Sequence, residues 1–125
     1  MGDVIKKHTI TETGKVANVT GPTWEMKAGG RIANRLHGFL DVTQVMTTAP
    51  SITVKYQYSY DDVAWTDITS AAFAAITAVG KGQLNGVTIA LAGAALAAPF
   101  IRYFATIAGT SSSFNYKLDT ILEAV

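Results

Sequence analysis

Apolar and polar positions alternate without interruption over Ile52–Tyr60. Ile52, Val54, Tyr56, Tyr58 and Tyr60 share one parity, while Thr53, Lys55, Gln57 and Ser59 share the other. A strand turns successive side chains to opposite faces, so this pattern predicts a half-buried β-strand. Asp61-Asp62 then supply a turn, and Trp65–Thr69 is expected to return as the hairpin partner. Phe100–Ile107 alternates in the same way. It is followed by the loop-like Ala108-Gly109-Thr110-Ser111-Ser112-Ser113 and by Phe114–Leu122, which predicts a closing pair of strands joined by that loop.

The rest of the chain reads as further short strands. Val4–Thr13 alternates loosely and ends at Gly14. Gly21-Pro22 is a turn signal. Thr23–Lys27 sets Trp24 and Met26 against Glu25 and Lys27, and Ala28-Gly29-Gly30-Arg31 reads as another turn. Over Ile32–Met46, Leu36, Gly38, Leu40, Val42 and Met46 form an apolar face opposite Arg35, His37, Phe39, Asp41 and Thr43. Thr47–Ser51, with Pro50, is expected to break that strand. Ser70–Val79 is rich in alanine, with Phe73 and Ile76 three apart, and suits either one short helix or a strand-like excursion. Leu84–Leu91 is a strand candidate whose Asn85-Gly86 is alternatively a tight turn, and Ala92–Pro99 is a small-residue connection. About seven to nine short strands with regular turn signals argue for an all-β, two-sheet antiparallel β-sandwich, jelly-roll-like. Residues 1–13 form an N-terminal arm or first strand, and residues 14–125 one sandwich domain.

Composition narrows the function. Only 15% of the 125 residues are charged, against about 25% in ordinary domains. Such a surface suits either coverage by partners, because interface cores are poor in charge, or a neutral Thr/Ser-rich domain kept soluble by hydroxyls. A net charge of +1 gives little attraction to nucleic acid or an anionic membrane. The absence of cysteine removes disulfides, thiolate metal sites and cysteine nucleophiles, and fits synthesis in a reducing cytoplasm. Charges in Met1–Lys7 do not suit a signal peptide. The apolar run near Val87–Ile101 is shorter than the ~18–20 residues of a membrane span.

Candidate chemistry is sparse. His8 and His37 have no ligand or base at a useful spacing. Asp61, Asp62 and Asp67 lack the ligand pattern of a calcium loop, and Asp61 and Asp62 are better suited to Asx-turn capping. Glu12, Glu25 and Glu123 are scattered, and the glycine pairs do not open helices as a phosphate cradle requires. No catalytic, cofactor or metal site is therefore expected. The aromatics carry more weight. Tyr56, Tyr58 and Tyr60 form either sandwich core with hydroxyls at the rim or a stacking platform. Trp24 and Trp65 are either core plugs or interface anchors. The candidate interface residues are Trp24, Trp65, Tyr58, Tyr60 and His8.

The stretch Tyr58-Ser59-Tyr60-Asp61-Asp62-Val63-Ala64-Trp65-Thr66-Asp67-Ile68, followed later by Ile101-Arg102-Tyr103 and Gly109-Thr110-Ser111-Ser112-Ser113-Phe114, resembles small β-sandwich head decoration or cement proteins of tailed bacteriophages. The resemblance covers about residues 50–120, with Asp62 standing where a turn glycine is common. It implies a jelly-roll-like fold and a homo-oligomer, often a trimer, bound to the major capsid protein on the virion surface. It carries no catalytic residue, cofactor, nucleic-acid or membrane contact. Met1–Thr13 then suits an arm that adds a strand to a neighbouring sheet, as well as an ordinary first strand. The alternative is a carbohydrate- or receptor-binding sandwich, or a tail or neck component.

Overall fold

A computed structural model describes residues 3–28, 30–89 and 100–124. The described chain is all β and contains no helix. Its strands are β1 (Asp3–Lys15), β2 (Val19–Thr20), β3 (Trp24–Glu25), β4 (Lys27–Ala28), β5 (Arg31–Ile32), β6 (Arg35–Ser59), β7 (Thr66–Ala72), β8 (Gly80–Thr88) and β9 (Phe100–Ala124). β6 and β9 are 25 residues each. They pair antiparallel throughout, from Arg35 opposite Glu123 to Ser59 opposite Phe100.

This long ribbon is folded back on itself. Its register shifts between Val42 and Gln44, between Met46 and Thr48, and between Thr48 and Ser51, and such irregularities bend a strand. In a straight β6, Gly38 and Tyr56 would stand about 60 Å apart at roughly 3.3 Å per residue. Yet the Tyr56 hydroxyl lies 2.6 Å from that of Thr120, the cross-strand partner of Gly38. The first half of β6 and the second half of β9 make one layer, flanked by β1 and β8. The second half of β6 and the first half of β9 make the other, flanked by β7 on one side and by β2 and β3 on the other. The two antiparallel layers pack face to face as a β-sandwich, and β4 and β5 form a small separate hairpin.

The core fills the space between the layers. Leu36, Leu40, Val42, Phe114, Tyr116, Leu118 and Leu122 point in from one side. Ile52, Val54, Tyr56, Ile101, Tyr103 and Ala105 point in from the other. Burying each large aliphatic side chain contributes about 1.5–3 kcal/mol. The three buried tyrosines keep their hydroxyls paired: Tyr56 with Thr120, and Tyr103 with Tyr116 at 3.2 Å. Burial pushes the phenol pKa values of Tyr56 and Tyr116 far up, so these rings stay neutral.

Several expectations are corrected. The Gly/Thr/Ser stretch does not close a hairpin. It lies within β9, where the ribbon bends, and Phe100–Ile107 pairs with β6 rather than with Phe114–Leu122. Nor does Pro50 end a strand. It falls between Thr48 and Ser51, in an irregular step of the ladder without a cross-strand partner, where proline is tolerated. Ser70–Val79 is extended rather than helical. The Phe73 N–H donates to the Val54 carbonyl at 2.9 Å, and Ile76 exchanges bonds of 2.9 and 3.0 Å with Ile52. Asn85-Gly86 forms a bulge within β8, with Gly86 at φ +66°. Asp3–Lys15 is a strand paired with β9 of its own chain. Ala92–Pro99, Met1, Gly2 and Gly29 lie outside the described residues.

Candidate interaction surface

The second layer's outer face and the hairpin beyond it form the best-organised surface. Gln57 on β6 has Arg102 of β9 as cross-strand partner on one side and Asp67 of β7 on the other. Cross-strand partners project to the same face, so these three side chains stand in one row. Arg102 Nε donates to Gln57 Oε1 at 2.9 Å, and Gln57 Nε2 donates to Asp67 Oδ1 at 2.9 Å. Lys55 Nζ donates to Asp67 Oδ2 at 3.0 Å and lies 5.8 Å from the Phe104 ring centroid. The bonds from Gln57 and Lys55 hold the Asp67 carboxyl below its usual range. At the other end of the row the Arg102 guanidinium carbon sits 4.2 Å from the Trp65 ring centroid.

Each of these contacts is worth little alone. An exposed cation–π pair contributes about 0.5–1 kcal/mol, and an exposed salt bridge about 0–1 kcal/mol. Together they hold long side chains in one arrangement, which lowers the ordering cost of binding a partner.

The hairpin after β6 is held just as firmly. Ser59 is buried, so the alternation ends there and Tyr60 turns outward, 48% exposed. Ser59 Oγ accepts the N–H groups of Asp61 and Asp62 and donates to Asp61 Oδ1. Asp61 Oδ1 also accepts the N–H groups of Val63 and Ala64 at 2.9 and 3.0 Å. Those backbone donors, with Ser59, hold its carboxyl below the ordinary range. Asp62 does not cap. It adopts φ +61°, a backbone conformation that favours glycine, and its Oδ1 accepts the Thr23 hydroxyl at 2.8 Å. The result is a fixed loop with Val63 at its tip, 80% exposed, between Tyr60 and Trp65.

The five residues expected at an interface are therefore divided. Tyr60 and Trp65 belong to this surface, and Tyr58 is half-buried beneath it, packed on the core. Trp24 is buried and stacks on His8 of the opposite layer, with ring centroids 4.2 Å apart and planes 2° apart. This stack closes the side of the sandwich between β1 and β3. Burial first and the charge of Lys6 second lower the His8 pKa. The unfolded chain therefore takes up this proton more readily than the folded one. The His8 contribution to stability is complete above about pH 6.5 and is lost as pH falls through the lower folded value. Urea midpoints should decline more steeply between neutral pH and pH 5 in the native protein than in His8→Phe. Parallel profiles would refute this.

Two features were not legible in the sequence. The first is the pairing of Arg102 with Trp65, which strand alternation does not encode. His37 joins Glu123 on the first layer's outer face: its Nε2 bonds Glu123 Oε1, its Nδ1 accepts the Gly86 N–H at 3.0 Å, and Arg35 Nε lies 3.6 Å from the same carboxylate oxygen. Among the described residues, no group of three or more His, Cys, Asp or Glu side chains is placed to hold a metal ion. Comparison of the chain with protein-family models, with curated proteins and with solved structures finds no match.

Proposed function

We propose that this protein is a non-catalytic structural subunit that docks on a preassembled phage capsid as a decoration or cement protein at the virion surface. The observation that carries the reading is the fixed surface made by Tyr60, Val63, Trp65 and Arg102. Tryptophan, tyrosine and arginine are the residue types that dominate binding energy at protein interfaces. Here they surround an exposed valine on a loop whose backbone is already hydrogen-bonded. The motif resemblance over residues 50–120 and the low surface charge support the same reading and point to the major capsid protein as partner.

Carbohydrate binding is less well supported, because the Arg102 guanidinium already covers one face of Trp65. A stacked sugar would have to use the other face or displace the cation.

The test is co-sedimentation of the purified protein with undecorated shells of its own virus. Trp65→Ala and Val63→Asp should each weaken binding about thirtyfold, corresponding to about 2 kcal/mol at a hot spot. Both should leave the thermal midpoint nearly unchanged. Failure of the native protein to bind shells, or glycan-array binding abolished by Trp65→Ala, would overturn the reading.

A further inference from the structure

β1 is the outermost strand of the first layer: it pairs with β9 on one side, and no described strand is hydrogen-bonded to it on the other. Its backbone groups on the free side are a template for another strand. Its register with β9 is regular from Lys6 to Glu12 and shifts just beyond both ends, between Val4 and Lys6 and between Glu12 and Lys15. Bulges bend the chain at those points, so the straight part of the edge is Lys6–Glu12. Its midpoint is Thr9.

We propose that this edge pairs antiparallel with the same edge of a second copy, about a two-fold axis through Thr9 perpendicular to the layer. The first layers of the two copies then form one continuous sheet with their inner faces on the same side. The contact is self-complementary, as a two-fold interface must be. Thr9 faces Thr9 of the second copy, Lys7 faces Thr11, His8 faces Ile10, and Lys6 faces Glu12. By symmetry the Lys6–Glu12 pair occurs twice.

Charge selects this register. No ion pair of Lys6 is found among the described residues, and its charge acts instead on His8. Glu12 holds Lys15 at 2.9 Å and has its second oxygen left to accept Lys6 of the second copy. Moving the axis one residue along, to His8 or Ile10, would set Lys6 against Ile10 or Gly14 and lose both opposite-charge pairs. Lysines on an edge strand ordinarily keep edges apart. Here the acid at the mirror position converts that repulsion into attraction for one partner only. On the inner side the centre of the seam is formed by His8, which lies on Trp24, and Ile10, which packs on the core, with a Lys6–Glu12 pair at each end.

The inference stands apart from shell binding, since it is measured on the protein alone. Sedimentation velocity over a wide concentration range should show a reversible dimer. Lys6→Glu and Glu12→Lys should each weaken it about tenfold or more, because each turns two attractions into two repulsions. The combined Lys6→Glu/Glu12→Lys variant should restore it. Thr9→Cys should cross-link as a dimer on mild oxidation, because directly opposite residues of an antiparallel pair are close enough for a disulfide, whereas Lys7→Cys should not. A chain that stays monomeric throughout, a trimer, or a double reversal no better than either single one would overturn the proposal.

Discussion

Replacing Tyr56 with alanine is expected to destabilise the protein by about 3–5 kcal/mol, a large part of the roughly 5–15 kcal/mol that keeps a domain folded. Tyr56 is fully buried at the centre of the sandwich. Its ring meets Phe73 at 6.2 Å between centroids, tilted by 45°, and its hydroxyl crosses to Thr120 of the opposite layer at 2.6 Å. Alanine removes a ring the two layers share and leaves a cavity that neither sheet can collapse to fill. Tyr56→Phe separates the polar part. It keeps the ring but strands the buried Thr120 hydroxyl, at a cost of about 1–3 kcal/mol. Thr120→Val strands the tyrosine hydroxyl instead. The double variant Tyr56→Phe/Thr120→Val removes both partners and should be less destabilised than the sum of the singles, because an unmade buried bond is worse than an absent one. Urea midpoints at constant m-value measure all three. Additive losses would show that the two hydroxyls do not depend on each other.

The same residue marks how far local pattern carries. Alternation over Ile52–Tyr60 correctly assigns Ile52, Val54 and Tyr56 to the core, because period two belongs to the strand itself. It fails at Tyr60, where Ser59 is pulled inward by the amides of Asp61 and Asp62, a bond pattern that strand parity does not encode. The Gly/Thr/Ser stretch departs from its expected hairpin role for a related reason. Small polar residues mark a place where the backbone changes direction, and a bend between two layers uses the same chemistry as a hairpin. What separates the two is the ladder with β6, which joins residues as distant as Arg35 and Glu123. The candidate surface divides in the same way. Trp65 and Tyr60 stand out by residue type, but Arg102 lies over Trp65 only because Phe100–Ile107 is the neighbour of β6. Alternation gives the face of a strand and not the identity of its neighbours. His37 and Glu123 are likewise brought together by that long-range register alone.

Gly38→Val is expected to be strongly destabilising, costing about 3 kcal/mol, the upper end for overpacking a core. Gly38 sits opposite Thr120 on β9 and Leu84 on β8, on the inner face of the first layer. A Cβ there would stand 2.7 Å from Phe73 Cζ, 2.9 Å from the Tyr56 hydroxyl and 3.2 Å from Tyr56 Cε2. Neither ring has room to yield. The Tyr56 hydroxyl is held by Thr120, and Phe73 also lies 3.0 Å from where a Gly82 Cβ would be. The large rings of one layer thus stand over two glycines of the other. The φ of Gly38 is not positive, so the substitution carries no backbone strain and the whole penalty is a matter of space. Intrinsic strand preference acts in the opposite direction, favouring valine over glycine by up to about 1 kcal/mol, so the sign of the result decides between local propensity and packing. Gly38→Ala should fall between the two, losing about 1–3 kcal/mol. Phe73→Leu shortens the ring that the new methyl strikes, so combining it with Gly38→Ala should cost less than the two changes separately. A neutral Gly38→Ala, or strict additivity with Phe73→Leu, would mean that the two layers do not meet as closely as the Tyr56–Thr120 bond requires.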